Sequence, residues 1–300
     1  MAILVVGSVA LDTIKTPTGK VEDAIGGSAI HFSAAASFFS PVRVVGVVGP
    51  DYPYKKIGFL KKRDVDLSGL ETAEGETFRW SGEYTHDWNS AITHDTKLNV
   101  FKTFSPKISD SFRQSQFLFL ANIDPTLQLQ TLDQVEKPLL AAMDTMNFWI
   151  QGTKRAELLE VLKRVDLLLI NDGEAKMLSK KNHLLDAAQA ILQMGPQTLV
   201  IKKGEHGAVL FHKNEIFSLP AYPTKNIVDP TGAGDSFAGG FMGFLAKAGD
   251  LSQNNMRRAV VYGSVMASFM VTDFSCDRMR TLTAEDIAVR YKNFCELVRF

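Results

Sequence analysis

Five short apolar runs, Ile3 to Val9, Val42 to Val48, Phe117 to Ala121, Leu167 to Ile170 and Thr198 to Ile201, limit what this chain can become. Each is apolar on both faces, so a strand made from it can turn neither side to water. Such strands belong to parallel sheets covered by helices. Between and beyond the runs, apolar residues recur at helical spacing around Ser28 to Phe39, Thr126 to Glu136, Lys154 to Arg164, Leu184 to Met194, Ser236 to Ala248, Asn254 to Met270 and Ala284 to Val298. This alternation predicts an α/β sandwich. With 300 residues, 45% of them hydrophobic, the chain can bury one large core or two small ones.

Charge and cysteine usage narrow the class. The 33 Lys and Arg residues balance the 33 Asp and Glu residues, and no basic block stands out, so the electrostatic footprint of a nucleic-acid binder is missing. Lys55, Lys56, Lys61, Lys62 and Arg63 cluster at a spacing expected of a solvated helix face. Cys276 and Cys295 are too few for a disulfide framework and suit a reducing cytosol. No apolar run approaches membrane-spanning length, and Ile3 to Val6 is too short for a signal-peptide core. A cytoplasmic protein without nucleic-acid or membrane partners is expected.

One region departs from the buried-strand pattern. Glu76 to Phe104 is polar and aromatic, with Phe78, Trp80, Tyr84 and Trp88 close together, and predicts a small exposed sheet joined by Thr13 to Ile25. In an enzyme such a sheet is a lid that keeps water from the reaction. A surface hairpin or a homodimer contact is the alternative.

The chemistry is concentrated in Val228 to Phe237, where Asp229 and Asp235 flank a turn of small residues that opens into an apolar helix. The first amides of a helix lack internal partners and carry the positive end of its dipole, so Gly232, Ala233 and Gly234 form a candidate anion hole. Asp235 is poorly suited to binding phosphate, because like charges repel. It is well suited to taking a hydroxyl proton during phosphoryl transfer. The competing role for Asp235 is stabilisation of the first helical turn.

Other groups extend this pattern. Asp12 is expected just beyond the first strand, where a carboxylate can accept hydrogen bonds from two substrate hydroxyls or cap a turn. Gly26 and Gly27 let a ligand lie against the backbone, with Ser28 following. His31 is either a substrate contact or a buried histidine satisfied by a neighbour. Asn171 and Glu174 follow a strand as a helix cap and its third residue. Strand alternation sends Lys202 and Lys203 to opposite sides, so only one of them can face a ligand on a given side.

The run D-P-T-G-A-G-D-S-F-A-G-G, with Asp12, Gly26-Gly27 and N-x-x-E at Asn171, resembles the ribokinase-like (PfkB) carbohydrate kinase family in order and spacing across nearly the whole chain. The resemblance implies a single ribokinase-like domain over 1–300: a three-layer α/β sandwich with a mostly parallel central sheet and a small β-sheet lid within 13–25 and 76–104. It implies ATP-dependent phosphorylation of a sugar, a polyol or, in the branch with serine at the position of Ser28, a nucleoside; a catalytically silent nucleotide-binding regulator is the remaining alternative. Asp235 would be the base, Asp12, Gly26, Gly27, Ser28, His31 and, by charge and location, Arg79 would meet the acceptor, and Asn171, Lys202, Gly204 and Gly207 would meet ATP. Glu174 would act on Mg2+ through water. The family's sugar kinases commonly carry a lysine at the position of Ser28 and an asparagine at that of His31, so His31 would be either a substrate contact of changed specificity or a buried histidine. Asp144 and Asn147 depart from the family's D-x-N spacing. Val271 to Cys276 replaces the usual glycine-alanine ending, which leaves a monovalent-cation site at Asp229 open.

Overall fold

The computed structural model describes residues 1–299. Its strands are β1 (Ile3–Val6), β2 (Ala10–Thr16), β3 (Gly19–Gly26), β4 (Val42–Val48), β5 (Val65–Thr72), β6 (Phe78–Tyr84), β7 (Ala91–Lys97), β8 (Phe117–Leu120), β9 (Leu140–Asp144), β10 (Leu167–Asn171), β11 (Thr198–Lys202), β12 (Ala208–His212) and β13 (Glu215–Leu219). Nine of them make one sheet in the order β13-β12-β11-β10-β9-β8-β1-β4-β5. Neighbours run parallel from β5 across to β11, and β12 is antiparallel to both strands beside it.

Strand β1 shows why this sheet is covered on both sides. Ile3 and Val5 enter a core shared with helices Ser28–Ala36, Ala233–Ala248 and Gln253–Met270, whereas Leu4 and Val6 enter a second core against helices Arg155–Leu162, Asp172–Ser179 and Leu184–Leu192. The two-residue period of a strand divides its side chains between those layers, giving the three-layer α/β sandwich. Phe32 stacks on Phe119 with centroids 4.3 Å apart, which fixes the helix Ser28–Ala36 over β8. Such aromatic pairs add about 0.5–1.5 kcal/mol beyond area burial.

The helix Ala233–Ala248 lies unusually close to its neighbours because of its own glycines. A Cβ at Gly239 would stand 2.9 Å from the Ala35 Cβ, and one at Gly240 2.7 Å from the Tyr262 carbonyl oxygen. Side chains there would force the Ser28 and Gln253 helices away, and the two glycine-rich segments of the chain would no longer meet.

The remaining four strands form a second sheet, β3-β2-β6-β7, built from the segments anticipated around 13–25 and 76–104. Within it β2 and β6 are parallel and the other pairings antiparallel. Its attachment to the main sheet is a knot around Asp51, whose Oδ1 accepts from the Thr77 amide at 2.8 Å and the Thr77 hydroxyl at 2.6 Å.

Three sequence expectations are corrected. The first core strand ends at Val6 rather than Val9, because Ser8 turns aside to bond Ser28. Asp12 consequently lies within a strand of the small sheet, not just past the core strand. Arg63 does not share the solvated face of its neighbouring lysines; its guanidinium stacks on Phe38 and donates to the carbonyls of Met279, Arg280 and Leu282. No helix among the described residues is long and apolar enough to cross a membrane.

Candidate active site

Three adjacent parallel strands deliver polar residues to one end of the main sheet. Asp144 terminates β9, Asn171 terminates β10 and Lys202 terminates β11, with Leu169 paired to Asp144 and Asn171 paired to Lys202. The carboxyl ends of strands are where open α/β sheets bind ligands. Lys202 Nζ lies 2.8 Å from Asp144 Oδ2, with both side chains largely buried.

The helix Ala233–Ala248 meets this edge with its N-terminus. Gly232 caps it in the left-handed conformation, at φ 75° and ψ 3°. A Cβ at Gly234 would stand 3.1 Å from Lys202 Nζ, so the ammonium lies directly against the small-residue turn. The amides of Gly232, Gly234 and Asp235 make no hydrogen bond to protein among the described residues. Asp229, fully buried, braces the turn from behind: Oδ1 accepts from the Thr231 amide at 2.8 Å and Oδ2 from the Ser275 amide at 3.0 Å.

Asp235 is partly open to solvent at the helix start. Its carboxyl is pushed up to about 8, first by desolvation in the cleft and then by the charge of Asp144, with Lys202 opposing and Asp12 adding to the rise. Glu174 is raised to about 7 by burial and by Asp144, again against Lys202. One lysine therefore sits among three carboxylates. Glu174 also completes a capping box: the Asn171 amide donates to its Oε2 at 3.0 Å while its own amide donates to Asn171 Oδ1 at 2.8 Å. Replacing Asn171 with alanine is expected to lower stability by about 1 kcal/mol, measured by urea denaturation, because one helix donor is left without its acceptor.

Asp12 approaches from the other sheet and is only 4% exposed. Burial raises it to about 7, and the Asp229 charge adds to that, while the Gly27 amide pulls the other way. A Cβ at Gly26 would overlap the Asp12 carboxylate, so this glycine makes room for the acid itself. Gly27 follows at φ 93°. Trp80 pairs directly across from Asp12 and shares its face of the sheet. Tyr84, at the end of the same strand, is held near Thr231 and feels the charges of Asp229, Asp12 and Asp235.

The other anticipated site residues take different positions. Ser28 is buried, its Oγ 3.1 Å from Ser8 Oγ, so it ties β1 to the following helix. His31 is 2% exposed and packs beneath Gly232, with Nδ1 3.4 Å from Cys276 Sγ. Burial lowers it to about 4, so the ring is neutral at ordinary pH. Arg79 pairs with Leu11 rather than Asp12 across β2 and therefore points to the opposite face, ion-paired with Asp23 and, at 3.0 Å, with Asp51. It belongs to the attachment of the small sheet, not to the Asp12 face. Gly204, at φ 53°, is touched by Asn89 from the loop between β6 and β7, and a Cβ at Gly207 would overlap the Leu219 carbonyl.

A family model described as pfkB family carbohydrate kinase matches residues 2–282. The chain belongs to the pfkB family. Among relatives of this kinase, the cytidine kinase of Thermococcus kodakarensis is 28% identical over 256 residues, covering 84% of this chain and 91% of that protein. The nucleoside kinase of Methanocaldococcus jannaschii is 26% identical, over 75% of this chain and 72% of the relative. The solved structure of a Methanocaldococcus jannaschii nucleoside kinase, a ribokinase-family member, superimposes with a TM-score of 0.76 at 22% identity, covering 97% of this chain and 98% of its own. An Escherichia coli protein described as a putative ribokinase II, solved with ATP and Mg2+, gives 0.79 at 18% identity over 97% of this chain and 99% of its own. The ribokinase-like fold expected from the sequence is thereby established.

Three residues bordering the pfkB site carried little signal in the sequence. Asp144 was visible only through a family D-x-N pattern from which it departs, and Tyr84 as one aromatic of a cluster. Asn89 reaches Gly204 only because a hairpin folds over the main sheet, a contact with no local signature.

Proposed function

We propose that this pfkB-family enzyme transfers the γ-phosphoryl group of ATP to a ribose hydroxyl of a nucleoside. The observation that carries the reaction is the seating of Asp235 at a helix N-terminus whose small-residue turn faces Lys202. Asp12 binds acceptor hydroxyls from across the cleft, and the small sheet serves as the lid. Asp235 takes the proton as the hydroxyl oxygen bonds to the γ-phosphorus and the bond to the bridging oxygen of ADP breaks. The proton ends on Asp235 and ADP departs. The amides of Gly232 and Gly234 stabilise the charge on the migrating group, whereas that of Ala233, anticipated as a third donor, is spent on the Pro230 carbonyl at 3.1 Å; positioning and electrostatics supply the rate.

The residues fit Mg2+ held mainly by phosphates. Among the described residues no three or more His, Cys, Asp or Glu side chains converge to hold a metal alone. Mg2+ keeps several waters and needs one or two carboxylates, a role suited to Glu174, whose raised carboxyl would be relieved by a nearby cation. When bound, the ion neutralises phosphate charge. Asp229, both of whose oxygens accept backbone amides, is assigned to bracing the turn rather than to a monovalent cation.

A nucleoside is favoured over a free sugar by the two nucleoside-type relatives above, which match along most of their length. Trp80 on the Asp12 face offers a surface on which a base can stack. An acceptor panel of nucleosides, ribose, fructose and inositols, with ADP release as readout, is expected to give a kcat/KM at least about tenfold higher for a nucleoside than for ribose. A reversed order would make the protein a sugar kinase; turnover of none of them would remove the reading.

A further inference from the structure

We propose that Asp144 is a positioning residue for phosphoryl transfer, holding the Lys202 ammonium against the Gly232–Gly234 turn and away from Asp235. The inference rests on the kinase reading above and concerns a residue whose displaced D-x-N spacing gave it no role in the sequence.

Asp144 is itself rigidly held. Its Oδ1 accepts from the Thr145 amide at 2.8 Å, and its carbonyl accepts from Gln128 Nε2 at 3.2 Å. The same Gln128 nitrogen donates to the Ala121 carbonyl at 3.0 Å, so the ends of β8 and β9 are clamped together beneath the site. Lysine, by contrast, is a point charge on a flexible stem. Without a fixed partner it could fold onto either remaining carboxylate. Pairing with Glu174 would withdraw the cation from the turn; pairing with Asp235 would lower the basicity of the group that must accept a proton.

In the structure Lys202 makes neither pairing. Glu174 already accepts the Asn171 amide, and the shortest contact of Lys202 is with Asp144 Oδ2, at 2.8 Å. An ammonium has three donors, so one can stay on Asp144 while the others meet a phosphate beside Gly234. Burial disfavours the charged lysine, but the charges of Asp144, Glu174 and Asp235 with the Asp144 hydrogen bond outweigh it and keep the ammonium protonated. The charged groups facing the pair are Glu174 from its helix and Asp235 from the opposing helix.

The test is a double-mutant cycle with Asp144→Asn, Lys202→Met and their combination, each checked for cooperative unfolding. Asp144→Asn is expected to lower kcat by about 10–100-fold while moving the acceptor KM less than about threefold, because the reacting groups are misplaced and not lost. In the Lys202→Met background the same change is expected to cost no further activity, since the residue acts through the lysine. Asp144→Glu, which keeps the charge, is expected to recover part of the loss. Unaltered kcat in Asp144→Asn, or losses that multiply independently, would overturn the proposal. ADP affinity by calorimetry provides the same cycle without an acceptor: a wild-type protein that phosphorylates nothing defeats the kinase reading, whereas additive ADP affinities defeat the Asp144–Lys202 coupling.

Discussion

Asp235→Asn will lose at least about a hundred- to ten-thousand-fold in turnover, the contribution of a general base, while binding ADP as the wild type does. The same substitution is expected to stabilise the ligand-free protein at pH 8. The folded carboxyl stands at about 8 against an ordinary 3.8, with desolvation the first cause. Where the folded value is the higher one, the native state holds a proton that the unfolded chain has released. The associated stability is complete below about pH 4 and is lost as pH rises toward 8. Asparagine, neutral throughout, removes that loss. A gain of about 1–2 kcal/mol at pH 8, or roughly 1.5–3 °C in Tm for a chain of this size, shrinking toward zero at pH 4, is the expected pattern. Wild-type kcat/KM should rise with pH through the same range, because the base must lose its proton first. Retained turnover in the variant removes Asp235 from the catalytic role, and a rise in Tm independent of pH removes the electrostatic account.

The opposing demands on Asp235 explain where the sequence was informative. A strand buried on both faces has to be continuously apolar, so β4 and β8 could be located from their residues alone. The glycine turn at Gly232 was equally plain, because no other residue type tolerates both its backbone angles and the close approach of a ligand. Long-range contacts were not legible in the same way. Arg79 looked like an acceptor ligand by charge and location, but pairing with Leu11 sends it to the far face of the small sheet, and only the register between β2 and β6 determines that. Ser28 and Ser8, separated by twenty residues, reveal their mutual hydrogen bonds only after β1 and the following helix have packed. Asp12 was found through the family pattern, although its supposed position beyond β1 was wrong. The site joins two sheets, and its far half is set by how they pack.

That dependence makes Gly232 the second position where one atom should have a large effect. Its φ of 75° belongs to the left-handed region, and an added Cβ would stand 2.5 Å from His31 Nδ1 and 2.7 Å from Cδ2. His31 has little freedom to yield: it is buried, its Nδ1 meets Cys276, and its carbonyl accepts from Ser236 Oγ at 3.4 Å. Gly232→Ala must therefore displace the turn, and with it the amides aimed at the phosphate. Loss of one such donor costs about 10²–10³-fold in kcat. The backbone conformation alone costs on the order of 1–3 kcal/mol for a residue with a side chain. Adding His31→Asn shortens the obstructing side chain, and asparagine is the residue family members commonly place there. The double variant is expected to regain at least about tenfold in kcat over Gly232→Ala, leaving only the intrinsic backbone strain. Wild-type kcat in Gly232→Ala would show that the turn does not grip the phosphate. No recovery in the double variant would show that the imidazole is not what fixes the turn.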